Sequence, residues 1–137
     1  MATARLFRAA LITEWILAIG AAVVAILTEP LLPAELRAYL DRQAGAPLTA
    51  ADLIQGVVGV GFLALAAATT VGLFIYKRWA RLVFAALTVT GFIPVILMGP
   101  TVESGIATAL AESAVLVSGV ILALMYWSPV SVNFEKQ

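Results

Sequence analysis

Cysteine and histidine are both absent from the 137 residues. The first absence removes disulfides, thiolate nucleophiles and Cys-ligated metals. The second removes imidazole acid–base chemistry and the commonest metal ligand. Zinc and haem lose their usual ligands with them, and no metal or cofactor is expected. Charge is scarce too: Asp, Glu, Lys and Arg make up 12% of the chain, against roughly 25% in an average soluble domain. Eight basic residues balance eight acidic ones, so no basic excess calls for nucleic acid. No Ser, Thr or Asp comes with the base that nucleophilic catalysis needs, and the chain is not expected to be an enzyme.

What is present in excess is hydrocarbon. Apolar residues account for 63% of the chain, too many for a small water-soluble globule, which is mostly surface. The sequence reads as a single transmembrane domain over residues 1–137, with the lipid bilayer as its solvent. Four apolar runs, about 9–27, 53–76, 82–98 and 106–127, each approach the roughly 20 helical residues that cross a hydrocarbon layer. The expected fold is therefore all-α, a polytopic bundle of four transmembrane helices. Pro94 should kink the third helix near its end.

The connections differ in kind. "YKRWARL" is a tight basic hairpin and "GPTVES" a short turn, with Thr101 and Glu103 read as the start of the fourth helix. The first connection holds "PAELRAYLDRQAG", whose Leu36, Tyr39 and Leu40 share one helical face. A short amphipathic helix over about 33–44 is expected there, lying on the outer surface of the bilayer or capping the bundle. Thr49 and Asp52 then have capping-box spacing at the start of the second span.

If four helices alternate, Arg5, Arg8, Lys77, Arg78, Arg81 and Lys136 fall on one side, while Glu29, Glu35, Asp41, Asp52 and Glu103 gather on the other with Arg37 and Arg42. The positive-inside rule places both termini in the cytoplasm, in a multi-pass protein of the inner cell membrane. Tyr76, Trp79, Tyr126 and Trp127 form a matching interfacial belt. Arg5 and Arg8 ahead of an apolar run also suit a signal peptide, but the acidic Glu14 is out of character for one; the segment is read as a retained helix.

Glu14 and Glu112 are the two carboxyl groups inside apolar runs, where an ionised carboxylate is costly. On a helical wheel Glu14 shares its face with Ala10, Ala18, Ala21, Ala25 and Thr28. Glu112 shares a face with Gly105, Thr108, Gly119 and Ala123, and the second helix offers Gly61, Ala64, Ala68 and Gly72. Stripes of small residues let membrane helices approach closely, so these three faces are expected to form the core. Depth counted at about 1.5 Å per residue puts Glu14 level with Thr13, Thr69, Thr70, Thr88 and Thr90, an expected supporting polar layer. No Lys or Arg lies at that depth, which makes a protonated, hydrogen-bond-donating Glu14 the expectation. Two roles stay open for Glu14 and Glu112: a proton or cation site, or a neutral acid acting as interhelical glue.

A chain of about this size with four helices and a lone glutamate in the first, in "LITEWILAIG", resembles the small multidrug resistance transporters. The resemblance implies competitive binding of protons and cationic drugs at Glu14, in an antiparallel dimer. The chain departs from that family in its helix-sized first loop, in the residues around Glu14 and in its strong charge asymmetry. From the residues themselves, the leading expectation is a non-catalytic accessory or self-associating subunit, in a homo-oligomer or a larger membrane complex. The alternative is a small proton-coupled transporter or channel built around Glu14.

Overall fold

The computed structural model describes residues 2–45, 47–91, 93 and 104–135. The described residues are helical and contain no strands. Three helices are long and apolar enough to cross a membrane: α1 (Ala2–Thr28), α3 (Ala50–Phe74) and α5 (Gly105–Trp127). Between them stand α2 (Ala34–Ala44), after a 3-10 turn at Glu29–Leu31, and α4 (Arg78–Thr90). A last short helix, α6, covers Ser131–Glu135.

Local chemistry sets the boundaries. Thr49 and Asp52 form the expected capping box at the head of α3: Asp52 Oδ2 accepts from the Thr49 backbone N–H at 2.7 Å, and the Asp52 N–H donates to Thr49 Oγ1 at 3.3 Å. Ser104 caps α5, its Oγ accepting from the Ala107 N–H; Thr101 and Glu103, expected at that start, lie outside the described residues. Helix α2 falls where the first loop was expected to be helical, and Arg37 Nε donates back to the Leu32 carbonyl at its entrance. α4 begins four residues earlier than expected and is described for 13 residues, about 20 Å of rise. The expected continuation to Met98, including Pro94, lies outside the described residues.

The turn between α3 and α4 is made without glycine at its left-handed position. Tyr76 has φ 58; its N–H donates to Leu73 O and the Lys77 N–H to Gly72 O at 2.8 Å. That is the paired-bond C-terminal motif in which glycine usually takes the left-handed place. Tyrosine accepts the strain because its ring is held by Phe7 (centroids 6.0 Å) and Phe134 (5.3 Å). Gly72 is needed for closeness: a Cβ there would stand 2.6 Å from the Ala80 Cβ.

Helix α1 packs along α5 more extensively than any other two elements pack, and α3 with α4 makes a second pair. Glu14 meets Ser118 and Gly20 meets Leu110, so α1 and α5 run antiparallel. The pairs join through one buried cluster: Phe7 and Leu11 of α1, Leu73 of α3, Ala80 and Phe84 of α4, Ile121 and Met125 of α5, and Val130 and Phe134 near the end of the chain. Both ends of the described chain thus meet the α3–α4 turn at one end of the molecule. Arg5, Arg8, Lys77, Arg78 and Arg81 belong to the same segments, and this is called the basic end below.

The Ile face of α1 points away from the rest of the chain, with Ile16 64% and Ile26 70% exposed, while Ala21 is buried. That orientation suits a lipid solvent. Of the small-residue faces expected on the other two spans, Gly72 packs closely against Ala80 and Trp79, and the rest is left open by the described residues. Gly61, Ala64 and Ala68 of α3 are exposed, as are Gly105, Thr108, Glu112, Gly119 and Ala123 of α5. α5 buries Ala107, Ala114, Ile121 and Met125 instead, a heptad-like row that fits a neighbour crossing at a shallow angle.

Candidate functional site

Between the two helix pairs lies a cavity of about 340 Å³. All four long elements line it: Glu14, Trp15 and Ala18 from α1; Phe62, Leu63, Ala66 and Thr70 from α3; Phe84, Leu87 and Thr88 from α4; Val115 and Ser118 from α5. Gly91, just beyond α4, completes the wall. Helix periodicity explains the convergence. Leu11 and Glu14 are one turn apart on α1, as are Thr70 and Leu73 on α3 and Ser118 and Ile121 on α5. The face that buries the apolar cluster at the basic end therefore presents polar groups one turn further in.

Few of those polar groups are available to a ligand. Thr70 Oγ1 donates to Ala66 O at 2.9 Å and Thr88 Oγ1 to Phe84 O at 2.9 Å. Thr70 Oγ1 also accepts from the Trp15 indole N–H at 3.0 Å, a bond that joins the two helix pairs across the cavity. Ser118 Oγ donates to Glu14 Oε1 and lies 3.1 Å from Ala114 O. The carboxyl of Glu14 is thus the strongest polar group on a largely apolar wall.

The Glu14–Ser118 contact serves both protonation states of the acid. A hydroxyl has one proton and two lone pairs. Facing an ionised Glu14, Ser118 donates to it. Facing a protonated Glu14, Ser118 accepts from the acid and donates to Ala114 O. A proton can arrive or leave with the same two side chains in place.

Of the residues singled out from sequence, the cavity brings together Glu14, Thr70 and Thr88. Thr69 is fully buried, with its hydroxyl on Leu65 O at 2.7 Å. Thr90 is exposed and bonded to Ala86 O, and Thr13 is exposed. Glu112 is also exposed, on the side of α5 away from its buried row. Ser118, Trp15, Phe62 and Phe84 were not singled out. Ser118 was legible in principle, since it continues the Ala107–Ala114–Ile121–Met125 row. Depth matching looked for hydroxyls on the second and third spans, whereas α1 lies chiefly against α5.

Among the described residues no group of three or more Asp, Glu, His or Cys side chains could hold a metal ion. Comparison of the chain with protein-family models, curated proteins and solved structures finds no match. The likeness to small multidrug resistance transporters thus rests on chain length and Glu14, since three candidate spans are described rather than four.

Proposed function

We propose that the chain is a non-catalytic, multi-pass protein of the inner cell membrane that takes up a proton or a cation at Glu14, as a small proton-coupled transporter or channel. The observation that carries this reading is a carboxyl group on the wall of an apolar cavity, with a serine partner suited to both of its protonation states. Intramembrane carboxyl groups facing a cavity are the usual sites of proton and ion relays. The basic end faces the cytoplasm in this reading, following the positive-inside rule, and α2 lies on the outer surface of the bilayer.

The test is proton flux. Purified protein in liposomes, with an internal pH dye and an imposed potential, should conduct or exchange protons. Glu14→Gln should abolish that flux while leaving helix content and thermal stability intact. Flux retained in Glu14→Gln, or none in the wild-type chain, overturns the reading.

A second reading is favoured by one observation. Glu112 is exposed on α5 beside Gly105, Thr108, Gly119 and Ala123, and a carboxyl inside a span ordinarily faces protein or water. A self-associating or accessory subunit would cover that face with another copy or a larger membrane complex. Gly119→Leu should then lower the assembled mass in detergent; a wild-type monomer overturns this reading.

A further inference from the structure

The cavity is closed on one side by an apolar seal. Leu11, Leu73, Phe84 and Ile121 sit one turn from Glu14, Thr70, Thr88 and Ser118, and all four are buried. Phe84 belongs both to the cavity wall and to the buried cluster, so nothing separates the two. Beyond that layer the cluster ends in Phe7, Val130 and Phe134, each at most 1% exposed.

The outermost part of the seal is α6, whose five residues are too few to be a stable helix on their own. Two things hold it. The Phe134 ring stands edge-on to Phe7 at 6.0 Å and to Tyr76 at 5.3 Å. The Arg78 guanidinium donates to Phe134 O, from Nε at 3.0 Å, and to Glu135 O, supplying partners to carbonyls at the helix end.

Docking α6 also has a built-in cost. The Tyr76 hydroxyl and Arg81 Nε are buried without a hydrogen-bond partner among the described residues. Both belong to side chains that Phe134 touches: the Tyr76 ring lies against it and the Arg81 guanidinium is 5.9 Å from its centroid. A buried polar group without a partner is penalised by its lost hydration. The side chains that seat Phe134 are therefore incompletely bonded with α6 docked.

We propose that α6 is a releasable latch on the basic end of the cavity. It is held by Phe134 and Arg78, and its undocking admits water toward Glu14 from that end. The latch deepens the proton-site reading and rests on it for its purpose, but not for its geometry.

The natural absence of cysteine makes the test direct. Ala66→Cys places a thiol on the cavity wall; Lys77→Cys and Glu35→Cys report which end of each molecule faces out of the liposome. The probe is a membrane-impermeant trimethylammonium methanethiosulfonate, applied to the basic end. With α6 intact, Ala66→Cys should be protected. Adding Arg78→Gln, which removes charge-assisted bonds, should raise the labelling rate about tenfold or more. Phe134→Ala should do the same, and Arg78→Gln leaves the ring in place should that second variant fail to fold. Fast labelling of the intact chain from the basic end overturns the proposal. So does an unchanged rate in a folded latch variant. No flux is measured, so a failed latch and a failed proton site are distinguishable.

Discussion

The indole N–H of Trp15 donates to Thr70 Oγ1 at 3.0 Å, tying the α1–α5 pair to the α3–α4 pair across the cavity. It does so from a helix whose neighbouring side chain, Glu14, bonds the other way, to Ser118. Two consecutive residues of α1 thus fasten it to two different helices.

Trp15→Phe keeps the ring and removes the donor, while Thr70 retains its own bond to Ala66 O. The expected loss is about 0.6 kcal/mol, the average worth of an interhelical hydrogen bond in a membrane. Thermal unfolding in detergent checks it. Trp15→Ala should cost distinctly more, because the aromatic wall goes with the bond.

Ser118→Ala leaves the Glu14 carboxyl without its partner, and Glu14→Leu leaves Ser118 with Ala114 O. The expected order is therefore asymmetric. Ser118→Ala should destabilise by about 1 kcal/mol, whereas Glu14→Leu should be close to neutral in stability though lacking any proton site. Equal losses in the two variants would contradict the geometry.

Gly72→Ala forces a Cβ to within 2.6 Å of the Ala80 Cβ and 2.9 Å of Trp79 Cζ2. The α3–α4 hairpin must open, at about 1–3 kcal/mol for overpacking. Gly56, Gly59 and Gly61 meet nothing within 4 Å, so Ala at any of them should be neutral or mildly stabilising. Melting temperatures of the four variants separate the two classes.

Thr49→Ala removes the capping box at the head of α3. The expected cost is about 1 kcal/mol, together with faster amide exchange over the first turn of α3 and no change at its far end. Asp52→Asn should lose less, since an amide oxygen still accepts from the Thr49 N–H.

The capping box at Thr49 and Asp52 and the helical stretch at Ala34–Ala44 were legible in the sequence, because each follows from local periodicity or local bonding. The packing of the other spans was not. Small-residue stripes say where helices can approach, not where they do: Gly61, Ala64 and Ala68 are exposed to the described residues, while the more ordinary Ala114–Ser118–Ile121 row is the one used. Glu14 was identifiable as an intramembrane carboxyl from its position alone. Its partner was not, because choosing between Ser118 and several threonines at similar depth requires knowing which helices are neighbours.

The buried contact between Phe7 and Phe134 has a consequence for how the protein is made. Ribosomes deliver Phe7 long before Phe134, so the aromatic seat around Tyr76 waits through the insertion of every later helix. A chain that has reached Tyr76 but not Phe134 holds Phe7 and Tyr76 without the ring that covers them. Closure of that seat is therefore a late event in folding, joining two residues that lie far apart in the chain.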